Sequence, residues 1–301
     1  MDSLRYTNRH LEKGSPSLQK LAFSGNSRIK VLIKGGGDLG SGTAWRLHRC
    51  GFKVLITEID QPLAVRRKVS FSEAIYDGEA VVEGVKALCI GGLHDADRAW
   101  RQGKIPVLSD PSCLSPHAWL PDVLVDAIVA KKNTGTSKHD APLVIALGPG
   151  FEAGRTATFV VETNRGPRLG RLLDEGAAEA DTGVPGAIEG VTERVLRAPL
   201  DGQWQSEREI GDSIDKGGVA GVVEGVPVKA PINGILRGLI RPGVRVGKGL
   251  KIGDIDPRQR RDLCFTISDK ALAVAGGVLE GILRVYGASK TAAIDPAATS
   301  S

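Results

Sequence analysis

A five-residue apolar run, Lys30–Lys34 (KVLIK), leads directly into Gly35-Gly36-Gly37-Asp38-Leu39-Gly40, and this junction constrains the fold more than any other stretch. The run is short and stops at glycines, as a buried strand does. Beyond it Leu39, Thr43, Leu47 and Cys50 recur at helical spacing as far as Gly51, a normal place for a helix to stop. The six residues therefore satisfy G-x-G-x-x-G with a strand before and a helix after, the context that a dinucleotide-binding turn requires. Gly35 permits the tight turn, Gly37 lets backbone approach a pyrophosphate, and Gly40 lets helix and strand pack closely. Backbone N–H groups and the helix dipole favour an anion at that point. Glu58 ends the next strand about 20 residues on and is placed to accept hydrogen bonds from a ribose diol, which favours an NAD-like ligand. Arg66 and Arg67, beside Lys68, leave a phosphate grip or an NADP-like 2′-phosphate open, because guanidinium recognises phosphate bidentately. A related domain that keeps its glycines for packing and binds no nucleotide is the alternative.

Short apolar runs continue at 53–57, 106–108, 123–129, Leu143–Leu147 and 158–161, with 94–102 and 116–120 reading as helices or turns between them. Strands separated by helical crossovers imply a largely parallel sheet covered on both faces, a Rossmann-like α/β domain. The polar loops that follow these strands gather on the carboxyl edge of such a sheet. They are Ser109-Asp110, the stretch 131–136 with Lys131 and Asn133, and Gly148-Pro149-Gly150-Phe151. A lysine beside an amide and hydroxyls suits a phosphate or carboxylate, and an ordinary solvated turn suits the same residues equally.

The second half loses helical periodicity and fills with glycine. The chain holds 39 Gly in 301 residues, nearly twice the usual share of about 7%. A 32-residue self-similarity accounts for many of them. Ala198-Pro199-Leu200-Asp201-Gly202 matches Ala230-Pro231-Ile232-Asn233-Gly234, and without a gap Gly211 falls on Gly243, Ile214 on Val246, Lys216 on Lys248, Gly217 on Gly249 and Gly221 on Gly253. The pattern resembles the two halves of a lipoyl/biotinyl-type barrel-sandwich domain, with Gly at positive-φ turns. The joint, Val223-Glu224-Gly225-Val226-Pro227, has no Met-Lys-Met tip, so covalent lipoyl or biotin is not expected. The run 268–285 is apolar and Ala/Gly-rich and predicts one closing helix or two short ones. The expected organisation is a polar extension (1–28), a Rossmann-like nucleotide-binding domain (29–180), a barrel-sandwich-like β domain (181–258) and a helical closing segment with tail (259–301).

Charge and cysteine usage exclude several classes. The net charge is +5, but Arg5, Arg9, Lys13, Lys20 and Arg28 against Asp2 and Glu12 place three of those units in the extension. The body therefore lacks the clustered charge of a nucleic-acid binder. No run of 18 apolar residues and no N-terminal apolar core predict a membrane span or a standard secretion signal. Four widely spaced cysteines without CxxC argue against a disulfide framework or structural zinc and suit the cytoplasm. His48, His94-Asp95, the pair Cys113 and His117, and Cys264 all read more simply as structural residues. No catalytic residue and no metal ligand is assigned, and whether the chain turns over a substrate stays open.

Several blocks together resemble a known family: KGGGDLGSGTAWRLHRCGFKVLITE from Lys34 to Glu58, QPLAVRRKVSFSEAIYDG from Gln61 to Gly78, VLVDAIVAKKN from Val123 to Asn133, and LGPGFEAG from Leu147 to Gly154. VVETNRG, GDIDPR and CFTISDKALAVAGGVLEG continue the series to Gly281. They are similar to the YqeB family, accessory proteins of the selenium-dependent molybdenum hydroxylase system, over roughly 29–287. The resemblance implies a maturation factor that holds a nucleotide, NAD(P) or another, or an anionic pterin-type cofactor at the Gly35–Gly40 edge. Its partners would be a molybdenum hydroxylase apoprotein or other maturation factors. It carries over no catalytic role, and neither the 28-residue extension nor Cys113 is part of the family pattern. An NAD-dependent oxidoreductase of unknown substrate and a pure interaction scaffold are the competing readings.

Overall fold

The apolar runs of the first half lie side by side in one sheet in the computed structural model, which describes residues 29–113, 119–183 and 186–287. In chain order the elements are β1 (Lys30–Lys34), α1 (Asp38–Arg49), β2 (Lys53–Glu58), α2 (Ala74–Asp77), β3 (Glu79–Val82), β4 (Val85–Ile90), α3 (Ala96–Arg101) and β5 (Ile105–Ser109). Then come β6 (Val123–Asp126), β7 (Leu143–Leu147), the short β8 (Glu152–Ala153), β9 (Phe159–Val161), β10 (Leu172–Leu173) and β11 (Gly176–Ala177). Nine of these strands form a sheet in the order β10-β9-β7-β6-β1-β2-β5-β4-β3. It is parallel from β9 to β4 and antiparallel at the two ends. Its central strands read as continuous apolar runs because both faces are covered. Val31, Ile33, Val54 and Ile56 pack under α1, while Leu32, Leu55, Leu124 and Val144 pack on the opposite face. Strand order changes direction beside β1, so the carboxyl ends of β1 and β6 border the crevice where ligands enter open sheets of this kind.

One expected strand is shorter in the structure, and one hairpin adds to the expected elements. The stretch 79–90 is a hairpin, turned at Glu83 (φ +41°) and Gly84 (φ +81°), that was not legible from its weak alternation. The strand expected over 123–129 stops at Asp126, because the Asp126 carboxylate turns back to accept from Ile128 N (3.2 Å) and Thr136 Oγ1 (2.7 Å). Within the helix or turn expected at 116–120, residues 116–118 lie outside the described residues, as does the extension 1–28.

The second half forms β12 (Val195–Arg197), β13 (Gly202–Gln205), β14 (Ser213–Ile214), β15 (Val219–Val223), β16 (Val226–Lys229), β17 (Gly234–Leu239), β18 (Arg245–Val246) and β19 (Lys251–Asp256). They make two antiparallel four-stranded sheets, β12-β19-β17-β14 and β16-β15-β13-β18. The 32-residue offset carries β12, β13, β14 and β15 onto β16, β17, β18 and β19. It also converts one sheet order into the other, so the sequence repeat is a two-fold relation in space. Trp204, Leu196 and Leu236 are fully buried between the sheets.

The chain then returns. α4 (Asp269–Tyr286), capped by Ser268 Oγ accepting from Ala271 N, is one continuous helix that packs on α1 and on β7, β9 and β10. Gly42 makes the helix contact possible, since a Cβ there would lie 2.8 Å from Ala271 Cβ. The antiparallel module is fastened to the segment after β2. Leu239 N donates to Val65 O (2.7 Å), Arg67 Nε donates to Leu239 O (2.6 Å), and Arg241 pairs with Glu73 and Asp77.

Candidate functional site

The turn between β1 and α1 opens the site. Gly35 has φ +93° and donates to Thr57 O (2.9 Å), which reverses the chain at the end of β1. Gly36 N donates to Glu58 Oε2 (2.8 Å), and Ile59 N to Glu58 Oε1 (2.9 Å). Burial pushes the Glu58 carboxyl up, and these two N–H groups oppose the shift. A Cβ on Gly40 would lie 2.0 Å from Gly35 O, so packing excludes one there, and a Cβ on Gly36 would lie 3.0 Å from Ser72 N, a tight contact that the backbone at Ser72 would have to relieve. Gly37 differs. It is the N-cap of α1 with ordinary extended φ and no side-chain cap, and nothing lies within 4 Å of where its Cβ would point.

In front of the first turn of α1 lies a cleft of about 650 Å³, walled by Asp38 and Leu39, the loops after β6 and β7, the sheet edge of β12, β19 and β17, and the start of α4. Its described lining holds eight basic residues against four acidic ones. Arg194 pairs with Asp254, while Arg237 Nη1 and Lys251 Nζ stand 3.8 and 3.7 Å from that same carboxylate. Three cations thus share one buried acid. Arg237 is also 3.6 Å from Asp256, whose carboxylate is already bound to Arg258 at 2.6 Å. Burial holds the Lys251 and Lys270 ammonium groups and the Arg237 guanidinium below their ordinary values, and neighbouring cations add to each shift. The Nε atoms of Arg66, Arg194 and Arg237 are buried without an acceptor. Buried cations in excess of their counter-ions are what an anion-binding cleft requires.

Of the residues singled out from sequence, Asp38, Leu39, Arg66 and Lys131 line this cleft, with Pro149 between Gly148 and Gly150. Arg66 is partly committed, donating to Leu263 O (3.1 Å) and Thr266 O (2.8 Å) with Asp38 at 3.5 Å. Lys131 pairs with Asp181 at 2.6 Å. Arg67 faces the antiparallel module, bound to Leu239 O. Asn133 builds its own loop, accepting from Gly135 N and Thr136 N and donating to Thr136 O. Gly148 and Gly150 let that loop and its neighbours approach, since a Cβ would lie 2.5 Å from Thr163 Oγ1 and 2.6 Å from Lys132 Cα respectively. Sequence reasoning missed Arg165, Arg194, Arg237, Lys251 and Lys270, which come from the second half and from α4.

The remaining candidates stay apart from the cleft. Cys113 Sγ contacts Thr57 Oγ1 at 3.5 Å, near the chain Lys34 Nζ to Thr136 Oγ1 to Asp126, and burial keeps its thiol protonated. Its proposed partner His117 lies outside the described residues. Cys264 is buried beside Leu236 O, and burial raises its thiol as well. Among the described residues no group of three His, Cys, Asp or Glu could hold a metal ion, and no helix is long and apolar enough to cross a membrane.

No family model matches the chain. The uncharacterized protein YqeB of Escherichia coli (strain K12) is 45% identical over 254 residues, covering 84% of this chain and 47% of that protein. The chain therefore spans about half the length of the curated relative it matches. Among solved structures, TcdA (CsdL) aligns at a TM-score of 0.31 and 11% identity over 86% of this chain and 88% of its own. A succinylglutamatedesuccinylase/aspartoacylase from Rhodobacter sphaeroides aligns at 0.22 and 16% over 75% and 85%. Likeness at these scores carries no argument about fold or site.

Proposed function

We propose, on the YqeB-family membership that the 45% match supports, that this protein is an accessory factor for maturation of selenium-dependent molybdenum hydroxylases. It holds a nucleotide or pterin-type cofactor by a phosphoryl group in front of α1. It acts in the cytoplasm on a hydroxylase apoprotein or beside other maturation factors. The observation that carries this reading is the open space at Gly37, the glycine of the turn that no internal contact requires, beside a cleft whose lining holds more basic than acidic residues. Strand order around β1 supports a Rossmann-like description of the first body. The two-fold relation between the small sheets supports a barrel-sandwich description of the second.

A second reading, an NAD-dependent oxidoreductase, draws on Lys270. This cleft lysine makes no ion pair among the described residues, and burial brings its pKa down, as a proton-transfer group needs.

Thermal unfolding with NAD, NADP, FAD and molybdopterin nucleotides separates the readings. A rise in midpoint with one of them is expected, and no rise with any overturns both. A rise with NAD together with redox turnover promotes the second. Gly37→Val should fold, because its backbone is extended and its surroundings are open, and should lose the ligand-induced rise. Retained ligand affinity in that variant would refute the turn as the phosphate site.

A further inference from the structure

The internal repeat supplies a control for what the cleft residues are for. Its two copies occupy equivalent strands, so a difference at matched positions marks something that the strand pairing shared by the copies does not require. At the 32-residue offset Arg237 matches Gln205, Lys251 matches Val219, Asp254 matches Val222, and Arg194 matches Val226. The four charged residues all line the cleft, and their four counterparts are all uncharged. The strands differ at the same place. In the first copy Trp204 pairs with Val223 and Gln205 with Val222, in regular register. In the second, Leu236 pairs with Ile255 but Gly238 pairs with Asp254, which leaves Arg237 as the extra residue of a β-bulge. Bulges re-aim a side chain at the cost of a ladder position. The side chain re-aimed here is a guanidinium only 8% exposed, whose Nε has no hydrogen-bond acceptor and whose nearest carboxylate oxygens are 3.6 and 3.8 Å away.

We infer that the antiparallel module contributes a second phosphoryl subsite, built by Arg237, Arg194 and Lys251 around Asp254, so that the ligand carries two phosphoryl groups and spans both bodies. This rests on the reading that α1 holds the first phosphoryl group. Asp254 keeps the three cations together when the cleft is empty, and an incoming phosphoryl oxygen supplies the acceptors that Arg237 lacks. Planar guanidinium groups suit that geometry better than ammonium alone. A ligand with one phosphoryl group would engage one body only.

The test is calorimetric titration of the full chain with inorganic pyrophosphate, in the wild type and in Arg237→Gln, Lys251→Val and Gly37→Val. The first two variants install the residues found at the matched repeat positions, and Lys251→Val does so where the backbone needs no bulge. Unchanged far-ultraviolet circular dichroism checks that both fold. Each is expected to weaken pyrophosphate binding about tenfold or more, as loss of a charge-assisted contact does. Unchanged affinity in folded Arg237→Gln and Lys251→Val, with binding lost in Gly37→Val, would overturn the second subsite and leave the first. Binding lost in the two module variants but kept in Gly37→Val would leave a phosphoryl site on the module alone and overturn both the turn as a phosphate site and the ligand that spans the two bodies. No binding by the wild type overturns both.

Discussion

Gly37 and Gly40 lie three residues apart, and different physics keeps side chains off them. A Cβ on Gly40 would lie 2.0 Å from Gly35 O, whereas one on Gly37 would point into open space. Gly40→Ala is therefore expected to destabilise the fold by about 2 kcal/mol or more, as forced overpacking does, and Gly37→Ala by less than about 1 kcal/mol, the cost of alanine at an N-cap. Urea unfolding of the two variants measures the difference, and equal losses would show that both glycines serve packing. The spacing of these glycines was legible in the chain, but their division of labour was not. The same limit applies to Arg66 and Arg67. Adjacent guanidinium groups look alike in a string, yet one lines the cleft and the other is tied to Leu239 O. A backbone turn of one residue separates those fates.

At the scale of elements, α4 shows how a helix start can be both anchored and part of the cleft wall. Arg165 donates to both oxygens of Asp269 (2.8 and 3.1 Å), in the first turn, and this pair holds the Asp269 carboxyl at about 2 rather than 3.8. A depressed carboxylate contributes stability that is present above its ordinary value and lost as pH falls through the folded one. Thermal midpoints of the wild type should therefore fall between pH 3.8 and about 2 by more than those of Asp269→Asn. Parallel curves for the two proteins would remove Asp269 from this account. The closing segment was expected from its apolar Ala/Gly-rich composition. Its partners were not, because the contact of Gly42 with Ala271 joins residues more than two hundred positions apart. The hairpin of β3 and β4 escaped notice for the opposite reason. It is an exposed edge, so its alternation is weak.

At the scale of the whole molecule, the cleft exists because the antiparallel module is held against the segment after β2 by Arg67, Arg241 and the Leu239 to Val65 backbone bond. Holding it there partly desolvates lysines that still keep some of their side chains exposed. Lys251 and Lys270 have folded values below their unfolded ones, so the cost of their charge is fully present below the folded value and is relieved as pH rises towards the unfolded one. Lys251→Val removes that cost and should melt no lower than the wild type at neutral pH without ligand, while gaining less from pyrophosphate. In the wild type the pyrophosphate-induced rise should shrink as pH climbs through the lowered lysine values. Running Lys251→Val beside the wild type separates the lysine from pyrophosphate's own ionisation, and the same pH dependence in both proteins would remove Lys251 from the site. Such a trade of empty-state stability for binding is expected where charge is kept for function.

Sequence by itself determined the local periodicities: the strand, glycine turn and helix at 30–49, the apolar runs of a sheet covered on both faces, and the 32-residue repeat that becomes a two-fold pair of sheets. Each of these depends on residues a few positions apart or on a fixed offset, so a string records it. Tertiary structure alone decided where the charge excess lies. Arg194, Arg237, Lys251 and Lys270 meet Asp38 only after the module is docked and α4 has returned. Burial and electrostatic balance are sums over neighbours in space, and those neighbours are distant in the chain.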